Sequence, residues 1–314
     1  MSHRTLVARW WLITVFALGL TAAGASAQDW PRYRLDAART AAVEESLAFP
    51  LHRNWVYEPD RHPRPAWPDP VKEPHRMPFD YAPVPVVADG LLYFGSTTDD
   101  SVRALDAESG KVRWRFTTGG PVRFAPDIYE GRAYVASDDG YLYCLDASTG
   151  KLIWRFHASR TEQMVLGNER MISRRPLRSG VLVDDGVVYT TAGMWPAEGV
   201  IVYALDAETG QVIWDNGTTL QYMGQPHGGG HAVTGPTPQG YLALGNDVLL
   251  VASGRTVPAA FDRNDGRFLY FDQRTDTDRG HSRGGSWLTV DAAADLYFNM
   301  VSRAFRLSTG ESAD

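Results

Sequence analysis

The residues best suited to chemistry lie in two inserted stretches. In VLGNERMISRRPLRSG, residues 165–180, Asn168 and Glu169 are followed by Arg170, Arg174, Arg175 and Arg178. An arginine fork meets a carboxylate or phosphate through two parallel hydrogen bonds, so Asn168, Glu169, Arg170 and Arg178 form a candidate face for a small acidic ligand. Arginines on such a loop also pair with nearby acidic turns, here Asp138-Asp139 or Asp184-Asp185, and that structural role is the preferred expectation. The second stretch, QPHGGGH, places His227 and His231 four apart. That spacing suits a metal only on a helix, which three intervening glycines forbid. A looped site would need a carboxylate as well, so the two histidines are weak candidates and no metal is expected.

Other signals reduce to turns. Gly284-Gly285-Ser286 lacks the pattern of a nucleophile elbow, and the sequence has no phosphate-cradling loop. Ser137-Asp138-Asp139-Gly140 resembles the start of a calcium loop but lacks its twelfth-position ligand. A single cysteine, Cys144, excludes an intramolecular disulfide and is expected to be a small buried hydrophobe. No catalytic residue is assigned.

The elements that would position these groups announce themselves by repetition. Three segments are nearly identical: Ala104 to Trp114 (ALDAESGKVRW), Cys144 to Trp154 (CLDASTGKLIW) and Ala204 to Trp214 (ALDAETGQVIW). Each sets a small residue first, Asp third, Gly seventh and Trp eleventh. Ala260 to Tyr270 keeps the small residue, Asp and Gly266 but has Tyr for Trp, and a last copy starts at Ala304 and reaches its eleventh position at Asp314. Asp accepts backbone N–H bonds and Gly allows a positive φ, so each copy reads as strand, tight turn, strand. With two strand-like runs upstream of each hairpin, the unit is a four-stranded antiparallel blade. The eleventh position recurs every 40 to 60 residues, the period of a β-propeller with insertions near 157–179 and 215–239. Both insertions join the outer strand of one blade to the inner strand of the next, and so emerge on one face.

This pattern resembles the tryptophan-docking motif of PQQ-type β-propellers, the family of quinoprotein alcohol dehydrogenases and of an outer-membrane assembly lipoprotein. The resemblance covers roughly residues 50–314. It implies that Ala104, Gly110, Trp114, Cys144, Gly150, Trp154, Ala204, Gly210, Trp214, Ala260, Gly266 and Tyr270 staple neighbouring blades. In the dehydrogenases it also implies a quinone, a calcium ion with Glu, Asn and Asp ligands, and a pair of adjacent cysteines. That pair is absent here, so the redox chemistry is not carried over. The leading expectation is a non-catalytic module that binds a protein, glycan or small acidic ligand, with no cofactor. The alternatives are a degenerate oxidoreductase holding PQQ and calcium, with Arg170 or Arg178 on the quinone carboxylates, and an outer-membrane assembly scaffold.

Residues 1–27 read as a cleavable secretory signal: Arg4 and Arg9 precede an apolar run from Trp10 to Leu20, and Ala25-Ser26-Ala27 offers a cleavage site. The run is shorter than the roughly 20 residues a span needs. An exported, periplasmic or extracellular protein is expected, without the cysteine that lipid attachment after a signal requires. A net charge of −6 gives no electrostatic case for nucleic acid. Residues 28–80 are a lead-in and a proline-rich strap, with a strand expected at 52–57, and residues 81–314 hold the blades. Four blades carry all their strands and a fifth stops short. An open arc or truncated ring is favoured over a closed ring in which 52–57 supplies the missing edge.

Overall fold

A computed structural model describes residues 28–47, 49–67, 79–167, 169–217, 222–224, 231–254, 256–271, 284–300 and 303–313. The expected signal segment, Asn168, His227 and Asp314 fall outside them. Blade one contains β1 (Val86–Ala88), β2 (Leu91–Ser96), β3 (Ser101–Asp106) and β4 (Val112–Thr117). Blade two contains β5 (Asp127–Tyr129), β6 (Arg132–Ala136), β7 (Tyr141–Asp146) and β8 (Leu152–His157). A two-stranded hairpin, β9 (Met164–Gly167) with β10 (Arg170–Ser173), precedes blade three: β11 (Leu182–Asp184), β12 (Val187–Ala192), β13 (Ile201–Asp206) and β14 (Val212–Asn216). A second hairpin, β15 (Tyr222–Gly224) with β16 (Ala232–Thr234), precedes blade four: β17 (Ala243–Gly245), β18 (Val248–Ser253), β19 (Thr256–Asp262) and β20 (Phe268–Tyr270). Blade five has three strands, β21 (Leu288–Asp291), β22 (Leu296–Asn299) and β23 (Ala304–Arg306). No described helix is long and apolar enough to cross a membrane.

Each motif position now has a physical reason. The small residue stands directly across the strand pair from the eleventh-position aromatic: Ala104 opposite Trp114, Cys144 opposite Trp154, Ala204 opposite Trp214 and Ala260 opposite Tyr270. In all four copies the register shifts just after the small residue, a bulge that turns the aromatic toward the next blade. The Asp carboxylate caps the turn. Asp146 Oδ1 accepts from the Thr149 N–H and hydroxyl at 2.8 and 2.7 Å, and Asp206 repeats this with Thr209. At Gly150 φ is +70°, and a Cβ there would sit 2.6 Å from the Trp114 ring. The same approach joins Trp55 to Gly110, Trp154 to Gly210, Trp214 to Gly266 and Tyr270 to Gly310. Indole Nε1 atoms of Trp55, Trp114, Trp154 and Trp214 each donate to a carbonyl of the neighbouring blade's turn, at 2.8–3.3 Å.

Buried apolar clusters join blades one and two, two and three, three and four, and four and five. Among the described residues no such cluster joins five to one, which leaves an open arc. Residues 52–57 pair with no described strand. They run extended instead, and Trp55 anchors them to the turn of blade one, with Asn54 donating to the Glu108 carbonyl at 2.8 Å.

The lead-in does more than precede the blades. Trp30 bridges to Val87 of β1, the Pro31 carbonyl accepts from Ile128 of β5, and Arg32 donates to the Val183 carbonyl of β11. The Ala37 and Ala38 carbonyls then accept from Leu244 of β17 and Val290 of β21, both at 2.8 Å. One short segment thereby touches the innermost strand of all five blades in chain order and satisfies backbone groups on edges that would otherwise lie open. Its pivot is Arg39, fully buried, which donates to Leu242, Tyr33 and Val181 carbonyls of widely separated segments. Burial lowers the Arg39 pKa to about 10, which leaves it charged at neutral pH.

Candidate functional site

Alternating strand directions place two sets of loops on one face: the connections from outer to inner strands, and the loops between second and third strands. The Asp-turns lie on the other face. On the first face, each of three consecutive blades offers one polar residue four positions before its inner strand: Arg123, Arg178 and Gln239, before Asp127, Leu182 and Ala243. All three are buried.

Asp138 lies between the two arginines. Arg123 Nε meets its Oδ2 at 2.6 Å, and Arg178 reaches the same oxygen from Nη2 at 3.1 Å. Arg123 Nη1 also meets Asp80 Oδ2 at 2.5 Å and the Arg64 carbonyl at 3.0 Å. Burial alone would raise the Asp138 pKa, but the facing guanidinium groups of Arg123 and Arg178 outweigh it and hold the carboxyl below its ordinary value. At Asp80 burial wins over the single neighbour Arg123 and the pKa is raised. The proline-rich strap closes over this network. Trp67 stacks 6.0 Å from the Arg178 guanidinium, donates from Nε1 to Gln239 Oε1 at 2.6 Å, and meets Trp195 edge-on at 5.7 Å.

The arginine-rich insertion is thus a hairpin whose arginines are committed at both its turn and its base. Arg170 pairs with Asp100 and donates to the Thr97 carbonyl at 2.9 Å; Arg174 pairs with Glu198; Arg175 donates to the Glu198 and Ser159 carbonyls. Arg170 and Arg178, either of which is the expected partner of a quinone's carboxylates, pair with Asp100 and Asp138 respectively. Glu169 is exposed at the hairpin turn, with φ +66°. His231 is exposed, and among the described residues no three His, Cys, Asp or Glu side chains are grouped to hold a metal. Ser286 is buried, its hydroxyl 3.9 Å from Met300 Sδ. Cys144 lies buried in β7, and burial raises its thiol pKa to about 11.

Two features escape a reading of the motif alone. Arg123 and Asp80 carry no local signal beyond a charge inside PVRFAP and FDYAP, although the matching offset of Arg123 and Arg178 from their inner strands would have paired them. The second is the apolar surface of the hairpins: Met164, Val165, Leu166 and Met171 on one, Met223 and Val233 on the other, all exposed, with exposed Trp195 beside the short 3-10 turn at Pro196–Glu198 that β16 contacts.

Comparison with known proteins agrees with this architecture. Residues 64–178 and 170–298 match the family described as outer membrane protein assembly factor BamB. No curated protein matches the chain. Among solved structures it is similar to the quinohemoprotein alcohol dehydrogenase from Comamonas testosteroni, with 17% identity over 91% of this chain and 48% of that one and a TM-score of 0.55. The quinohemoprotein alcohol dehydrogenase ADHIIG from Pseudomonas putida HK5 gives 18% over 73% and 41%, with a TM-score of 0.50. BamB from Moraxella catarrhalis gives 21% over 71% and 60%, with a TM-score of 0.49. At these identities the likeness is one of fold. The chain spans between 41% and 60% of the length of these proteins.

Proposed function

The chain belongs to the family described as outer membrane protein assembly factor BamB, and from that premise we propose that it is a non-catalytic binding module of the cell envelope. It docks a protein partner in outer-membrane protein assembly on the face that carries the β9–β10 and β15–β16 hairpins. The observation that carries this reading is the exposure of Met164, Leu166 and Met171 on one hairpin and of Met223 on the other, both hairpins lying in outer-to-inner strand connections on the same face. Methionine and aliphatic side chains on projecting strands suit an adaptable protein contact, since exposed apolar patches on a soluble module mark interaction sites. Supporting it from below, Arg170 beside the hairpin turn is held by Asp100 and Arg174 just past its base by Glu198, so ion pairs brace both ends of the hairpin while Met164, Leu166 and Met171 between them stay exposed.

The test is photo-crosslinking in the native cell from Leu166 and from Met223, with Glu208 on the opposite face as control. Outer-membrane assembly components captured from the first two positions and not the third are expected. Leu166→Glu should abolish that capture without lowering the melting temperature. Equal labelling from both faces, or capture unchanged by Leu166→Glu, would overturn the docking face.

A further inference from the structure

A second site lies on the open flank of blade one and reaches up to the rim of that face. The strap from Trp55 to Pro63 does not lie flat on β2 and β3 but encloses a cavity of about 330 Å³ against them. Its apolar wall is Leu92, Phe94 and Leu105 with the Trp55 ring, and Tyr57 meets Phe94 edge-on at 5.4 Å. Its polar part is cationic. Arg61 lines it from the strap, and among the described residues it has no acidic partner. Arg123 also lines it, with 4% of its surface exposed, and its Nη2 is buried with no hydrogen-bond partner.

That orphan decides the ligand's chemistry. A buried guanidinium N–H left without an acceptor is costly, while every other polar atom of Arg123 is used: Nε by Asp138, Nη1 by Asp80 and the Arg64 carbonyl. Of the charged residues lining the cavity, the acid, Asp80, is spent on the Ala66 N–H and Arg123, and Arg103 is paired with Asp99. What remains on offer is one exposed cation, one buried donor and an apolar wall. Ser96, Thr97 and Thr98 add hydroxyls at the same rim.

We propose that this cavity binds a small organic carboxylate with an apolar or aromatic body, its anionic group held by Arg61 and Arg123 and its body lying on Leu92, Phe94 and Leu105. The volume is near the lower end for small-molecule sites, which limits the ligand to roughly a dozen heavy atoms. None of these residues belongs to either hairpin, and Arg170 of β10 touches the rim only through the Thr97 and Thr98 carbonyls, so the cavity can be tested without the docking partner.

Phenylacetate and phenylacetamide, equal in shape and different in charge, are the probes, titrated against the full chain by calorimetry and by Trp fluorescence, Trp55 lying in the wall. Saturable phenylacetate binding is expected, weakened at least about tenfold in Arg61→Gln, whose position is exposed and whose fold is safe. Leu92→Trp, verified folded by its melt, should abolish it by filling the space. The amide should bind at least about tenfold more weakly than the acid. Absence of saturable binding, equal affinity for acid and amide, or affinity unchanged in both variants would overturn the assignment.

Discussion

The indole of Trp114 lies against the backbone of Gly150 on the next blade, and its Nε1 donates to the Ala147 carbonyl of the same turn at 2.8 Å. The contact couples two blades through one ring, so it should be testable from either side. Gly150→Ala places a Cβ 2.6 Å from ring carbons at a φ of +70°, and should cost about 2–4 kcal/mol from backbone strain and overpacking together. Trp114→Ala should cost about 3–5 kcal/mol. Because both changes destroy the same contact, the double variant in urea unfolding should cost less than their sum.

Removing Asp138 should be worse than its single charge suggests. Its carboxylate holds two buried guanidinium groups, and Asp138→Ala would strand Arg123 and Arg178 together in the interior. A loss of about 3–5 kcal/mol is expected in urea unfolding, with Asp139→Ala on the adjacent turn milder.

Sequence periodicity carries the Trp114–Gly150 contact and not the ion network around Asp138. The turn Asp, the positive-φ Gly and the aromatic recur because each blade rebuilds the same hairpin, so the blade count and the Ala104–Trp114 pairing are legible from spacing. The segment from Trp30 to Arg39 has no period because its partners are five different strands, four met through backbone groups and β11 by the Arg32 side chain. The backbone contacts leave no side-chain signature. Arg123 was hidden for another reason: a lone charge in an apolar run acquires meaning only when Asp80 arrives from the strap 43 residues earlier. The insertion around Arg170 carries no strand signal because VLG and RMIS are too short to alternate, yet Val165 pairs with Ile172 across a hairpin.

Stability should fall as pH rises from about 4 to about 6, on account of Asp127. Burial raises its pKa to about 6, against the opposing pull of Arg32 at 3.3 Å, Arg39 and the Val183 N–H. A raised folded-state pKa favours the protonated native form, so this stabilisation is complete below the ordinary carboxylate value of 3.8 and is lost through about 6. A shift of this size corresponds to about 3 kcal/mol. Asp138, Asp146 and Asp206 are shifted down, so their loss of stability belongs to more acidic solutions. Asp80 and Asp100 are shifted up and add to the Asp127 effect. Thermal melts from pH 4 to 7 should show the decline in the wild type and a shallower one in Asp127→Asn.

Cys144 should be chemically silent in the native state and tolerant of one substitution only. Its thiol is buried opposite Trp154, and a pKa near 11 leaves almost no thiolate at neutral pH. Maleimide labelling should therefore follow global unfolding, with the rate rising in urea in step with the loss of tryptophan burial. The equivalent positions in other blades hold Ala104, Ala204 and Ala260, each across from its own aromatic. Cys144→Ala should accordingly cost no more than about 1 kcal/mol, while Cys144→Leu would press extra methylenes on Trp154 and cost about 1–3 kcal/mol. Fast labelling of the folded protein, or equal tolerance of alanine and leucine, would show that the ring does not press on this position and that the small residue in the repeat serves some other purpose.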